Sequence, residues 1–110
     1  MKEAIKKLWV DALESGDYEQ AQDRLRIEDS FCCLGVLCNL HAQAHPKIAA
    51  AQRNRREYLG EDVALPPKVM RWAGLNYEKV IIDRVRDYLD GHNDSGKTFK
   101  QIAQAIREQL

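Results

Sequence analysis

A chain of 110 residues with 45% hydrophobic and 31% charged side chains has the length for one domain with a single modest core, and the composition of neither a disordered tail nor a fibrous repeat. Seventeen Lys and Arg balance seventeen Asp and Glu, which removes the strong positive field of a protein that packages nucleic acid through its phosphates. The longest apolar stretch, Phe31 to Cys38, is far short of the roughly 20 residues of a membrane span, and the charged start Met1-Lys2-Glu3 lacks the apolar segment of a signal peptide, so the expected location is the cytoplasm.

Ala4, Ile5, Leu8, Trp9, Ala12 and Leu13 recur at helical spacing and predict an amphipathic first helix, with Lys2, Lys6, Lys7 and Asp11 on its other face. It ends at Ser15-Gly16. The stretch 18–28 is predicted as a short extended arm or hairpin: Asp17 and Gln20 imitate a capping box, but Leu25 and Ile27 alternate with Arg24 and Arg26 as a strand would. Residues 31–44 open with a run that is apolar almost throughout, and a helix apolar on all sides must be surrounded by other elements. This segment is the expected central helix. Gly35 inside it costs about 1 kcal/mol of helix propensity relative to Ala, which predicts a neighbouring helix crossing closely at that point.

Pro46 suits the first turn of a further helix running through Ile48 and the alanines to Tyr58, with Gly60 as its exit. Its basic end carries Arg53, Arg55 and Arg56, which read as a solvated helix face. Pro66-Pro67 opens a short helix through Val69, Met70 and Trp72 that Gly74 closes. Val80, Ile81, Val85, Tyr88 and Leu89 mark an apolar face from Glu78 to Leu89, with a strand left open at its β-branched start. Thr98 and Gln101 form a capping box before Phe99, Ile102, Ala103 and Ile106, the last helix. The expectation is a mainly α, compact single domain over 1–110, its central helix packed by the first and last helices.

Four motifs invite chemistry. Gly91 to Thr98 fits G-x-x-x-x-G-K-[ST], but a P-loop leaves an apolar strand, whereas Arg86 to Asp90 reads as a helix end, so a polar turn is preferred. Cys38, His41 and His45, with Cys33 as a fourth ligand, have a spacing that zinc tolerates, but structural zinc sites usually draw ligand pairs from separate elements; buried cysteines acting as small hydrophobes are the preferred explanation. Cys32 or Cys33 at a helix start, with Gln20, His92 and Asn93, supplies the residue types of a thiol hydrolase, but nothing fixes their geometry. Phe99 to Ala103 has the pattern of the first helix of a helix-turn-helix, but no recognition helix follows before Leu110. The expectation is therefore no catalytic residue, no metal, no cofactor and no disulfide.

Several segments taken together resemble a group of small uncharacterised proteins met in bacteriophage genomes and in bacterial genomes with mobile elements. They are Trp9-x-x-Ala12-Leu13-x-Ser15-Gly16-x-Tyr18-x-Gln20, Leu25-Arg26, Phe31 to Cys38, Leu65-Pro66 with Trp72 to Leu75, and Asn93-Asp94-x-Gly96-x-x-Phe99-x-x-Ile102-Ala103-x-x-Ile106. Members of that group are Gly-rich between the positions of Gln20 and Leu25, from which Ala21-Gln22-Asp23-Arg24 departs. The resemblance implies a phage-like setting and no particular chemistry.

The functional expectation is a non-catalytic protein-interaction module, an accessory protein of phage type that modulates or inhibits a host protein; a homodimer also fits so small a core. The alternative is a small-molecule or nucleotide-binding protein, and behind it a thiol-dependent enzyme. For a ligand, Tyr18, Gln20, Asn93, Asp94 and Lys97 are the candidates, beside a last-helix N-terminus whose N–H groups suit an anion.

Overall fold

The structure, a computed structural model, describes residues 1–75 and 96–110. Helix α1, Glu3–Glu14, buries Trp9, Val10 and Leu13, while Leu8 of the same stripe stays 49% exposed. The indole of Trp9 is fully buried and its Nε1–H donates to the Cys33 carbonyl at 2.9 Å, so the largest side chain of α1 carries its one polar group to a partner. At the C-terminus the Ser15 hydroxyl donates to the Ala12 carbonyl, and Gly16 takes φ +81° to turn the chain.

The predicted arm is extended. It folds into three two-residue strands, β1 Glu19–Gln20, β2 Arg26–Ile27 and β3 Ser30–Phe31, in the order β1-β3-β2. The first pair is parallel, with Glu19 opposite Ser30, and the second is antiparallel, with Ile27 opposite Ser30. Strands this short do not stand alone in water; Leu25 and Ala21, both buried, peg them to the core. The domain is thus helical with a small mixed sheet. Phe31, expected in the central helix, belongs to β3, because its carbonyl accepts the N–H of Ala21 across the sheet.

The central helix is α2, Cys33–Ala44, with Cys32 as its N-cap and the Cys32 sulfur accepting the Gly35 N–H at 3.4 Å. The close approach at Gly35 is real, but the neighbour is the arm's backbone rather than a helix: a Cβ there would lie 1.8 Å from the Leu25 carbonyl oxygen. That same oxygen accepts the Cys32 N–H at 3.2 Å. The arm therefore crosses the first turn of α2 at the only residue type without a side chain to block it. Packed against α2 are α1, β3, helix α3 Pro46–Ala51 and helix α4 Pro67–Ala73. The last helix, α5 Phe99–Gln109, lies chiefly along α1 instead, where the Arg107 guanidinium pairs with the Glu14 carboxylate.

Helix α3 stops at Ala51, well short of Tyr58. Beyond it the Asn54 side chain accepts the Arg56 N–H at 2.9 Å, a local bond that competes with the helix ladder, and like charges on Arg53 and Arg56 would share one helix face. Helix α4 ends as expected on Gly74 in the left-handed region, and Lys2 N–H donates to the Ala73 carbonyl at 2.9 Å to tie the chain start to that end. The capping box of α5 forms in both halves. A radius of gyration of 12.6 Å matches the ~13 Å of one packed unit of about this length. Among the described residues no helix is long and apolar enough to cross a membrane, and no buried side-chain nitrogen or oxygen lacks a hydrogen-bond partner. The expected helix from Glu78 to Leu89 lies outside the described residues.

Candidate functional site

The sequence-predicted site is brought together in part. The Tyr18 hydroxyl accepts the Asn39 Nδ2–H at 2.7 Å, and its ring meets Phe31 edge-on, 5.4 Å between centroids. Gln20 donates through Nε2 to the Lys97 carbonyl at 2.7 Å, joining β1 to the chain that leads into α5. Asn93, Asp94 and most of the Gly91–Thr98 match lie outside the described residues. At the helix start itself, Thr98 Oγ1 accepts the Gln101 N–H and Gln101 Oε1 accepts the Thr98 N–H, so the capping box already uses donors that an anion would need. These two bonds hold the arm against α2 and against the chain leading into α5.

The cysteine and histidine cluster is a piece of core. Cys33 and Cys38 are buried in α2, and burial next to Cys32 pushes the Cys38 thiol well above its ordinary range. A thiol so placed is a poor nucleophile and a poor metal ligand. His41, 3% exposed, is held near pKa 4 by burial first, then by His45 and Lys68, and is neutral at physiological pH. Its Nδ1 and the Tyr58 hydroxyl share a 2.6 Å hydrogen bond, while burial, then Cys38, lifts Tyr58 to about 12. His45 stacks on His41 at 4.1 Å and donates its Nδ1–H to the His41 carbonyl at 2.8 Å. Trp72 packs edge-on against both rings. Among the described residues no group of three or more His, Cys, Asp or Glu side chains is placed to hold a metal ion.

What this cluster does is pin a loop. Residues 52–57 are exposed, and the next, Tyr58, is buried as the anchor. Tyr58 and Glu61 then exchange both backbone hydrogen bonds, at 2.7 and 3.0 Å, across a two-residue turn in which Leu59 has φ +50° and Gly60 φ +86°. Two positive φ values in succession define the turn type that favours Asn-Gly; a Leu there is strained. That Leu59 is also 38% exposed, and Val63 beyond it 47%, so their side chains are only partly used by the core.

Facing the turn, α3 presents Lys47, Ile48 and Ala51, and an open cavity of about 390 Å³ lies between the two. On the other side of the loop a smaller cleft of about 30 Å³, room for a water or so, runs between α2 and Tyr58, with Arg26, Arg55 and Arg56 along it. The two clefts carry five cations, Arg26, Lys47, Arg53, Arg55 and Arg56, against the carboxylate of Glu57. Asp29 bridges Arg26 and Arg55 at 3.3 Å. Among the described residues Lys47, Arg53 and Arg56 make no ion pair. Sequence reasoning placed these arginines on a helix and so missed the loop; the Leu-Gly pair before an acidic residue was its one visible signal.

The family model described as a domain of unknown function (DUF8296) matches residues 1–110. No curated protein and no solved structure matches the chain.

Proposed function

We propose, for a chain that belongs to the DUF8296 family of domains of unknown function, that it is a non-catalytic protein-interaction module, an accessory protein of phage type that acts on a host protein in the cytoplasm. One observation carries this reading: a rigidly anchored loop that exposes a strained leucine beside unpaired cations. Strained backbone clusters at functional sites, and loops on a rigid scaffold are where recognition groups reside. Cys38 and His41 are likewise committed to the core, the one buried in α2 and the other hydrogen-bonded to the Tyr58 hydroxyl. The phage setting rests on the sequence resemblance.

The test is capture from a bacterial lysate with two baits, the wild-type chain and Leu59→Asn. A host protein retained by the first and lost from the second supports the reading. Retention of no protein, with a nucleotide or other small molecule co-purifying, contradicts it.

A further inference from the structure

The geometry points to the cavity between α3 and the Tyr58–Glu61 turn as the docking surface, and to an acidic peptide segment with an apolar anchor residue as its occupant. This inference rests on the interaction-module reading and adds to it a place and a chemistry. Apolar contact comes from Ile48 and Ala51 on α3 and from Leu59 on the turn; cations come from Lys47 and Arg53 on the same rim, against the one carboxylate of its lining, Glu57, with Arg56 adjoining from the smaller cleft. The whole chain carries no net charge, so this excess is local, and a local field of one sign selects and steers a partner of the other.

A peptide fits better than its competitors. An enclosed small-molecule site buries most of its ligand, whereas this cavity is open along the loop. Single-stranded nucleic acid is held by exposed aromatic faces on a basic groove; here Tyr58, the aromatic of the loop, is buried with its hydroxyl on His41, and the exposed tip is aliphatic. An aliphatic anchor flanked by cations is complementary to a bulky apolar side chain flanked by carboxylates. The turn keeps Leu59 aimed in one direction, because Tyr58 below it is fixed on both its backbone and its hydroxyl, and a preorganised contact loses less entropy on binding.

The experiment is a selection from yeast-displayed random dodecapeptides on the immobilised full chain, followed by fluorescence anisotropy with the enriched peptides. Three proteins are titrated: wild type, Leu59→Asn, and the double variant Lys47→Glu, Arg53→Glu, all with exposed changes, and their melting temperatures are compared to confirm folding. The expected peptides are rich in Asp and Glu around one or two bulky apolar residues. Their affinity falls at least tenfold in each variant and also falls as salt is raised from 50 to about 300 mM, as screening requires. Enriched peptides without acidic excess, or with equal affinity for all three proteins, overturn this inference while leaving the interaction-module reading intact. Self-association of the wild type that Leu59→Asn abolishes assigns the cavity to a second copy and also overturns it. If no peptide is enriched, this inference falls and the interaction-module reading is decided by the lysate capture; if the site takes an oligonucleotide or inorganic phosphate instead, both readings fall.

Discussion

At the joint between α1 and α2, groups face inward: the Trp9 indole donates to the Cys33 carbonyl, the Leu25 carbonyl sits over Gly35, and Cys32 caps the helix. In the segment from Gln52 to Val63 the arrangement is reversed, because one aromatic is driven into the core and nearly everything around it is turned to solvent. Buried residues of the joint are explained by packing and hydrogen bonding. Leu59, Arg53 and Arg56 are not, and that contrast separates the side chains that make the fold from those that use it.

Gly35→Ala is the harshest way to break the comparison. On helix propensity alone Ala would stabilise α2 by about 1 kcal/mol, but its Cβ would fall 1.8 Å from a backbone oxygen, so a loss of about 3 kcal/mol or more is expected. Chemical denaturation reads the sign directly. A gain would mean that the arm does not cross at Gly35.

His41 tests the anchor beneath the loop. Its folded pKa, about 4, lies below the ~6.5 of an unfolded histidine, so the unfolded chain takes up the proton first. The stability associated with neutral His41 is complete above pH 6.5 and is lost as pH falls towards 4, by roughly 3 kcal/mol over that window. Denaturation curves for wild type and His41→Gln between pH 4 and 7.5 should differ in slope, the variant being the flatter. Equal slopes would place His41 in contact with water and undo the anchor.

Much of the helical scaffold was legible beforehand because its signals are local or compositional. The capping box at Thr98 and Gln101, the Pro67 start and Gly74 stop of α4, and the all-round apolar run of α2 each depend on residues a few positions apart. Gly35 announced a close approach, but which element approaches is a tertiary fact that no spacing in the chain encodes. The loop was misread for a related reason: no Gly or Pro interrupts the chain between Pro46 and Gly60, and only the Asn54 to Arg56 bond and the burial of Tyr58 mark the end of the helix. Tyr18 and Gln20 were singled out as groups that packing does not demand, and the structure gives each a hydrogen-bond partner.

The smallest expected effect sharpens the contrast most. Leu59→Asn removes a side chain that is strained at φ +50° and replaces it with one that tolerates this region, so stability should hold or rise by about 0.5–1 kcal/mol. Thermal denaturation is sufficient to see it. A loss of more than about 1 kcal/mol would mean that Leu59 is packing after all.

The central claim, that recognition resides in the α3-to-turn cavity and not at the Gln20–Lys97 corner, is met most directly by chemical-shift mapping. An acidic peptide from the selection is titrated into the ¹⁵N-labelled chain and amide shifts are followed to saturation. The account predicts saturable changes concentrated at Lys47 to Ala51 and Arg53 to Glu61, with Gln20 and Lys97 unmoved. Changes centred on Gln20, Lys97 and the start of α5, with the turn at Leu59 and Gly60 unaffected, would contradict it.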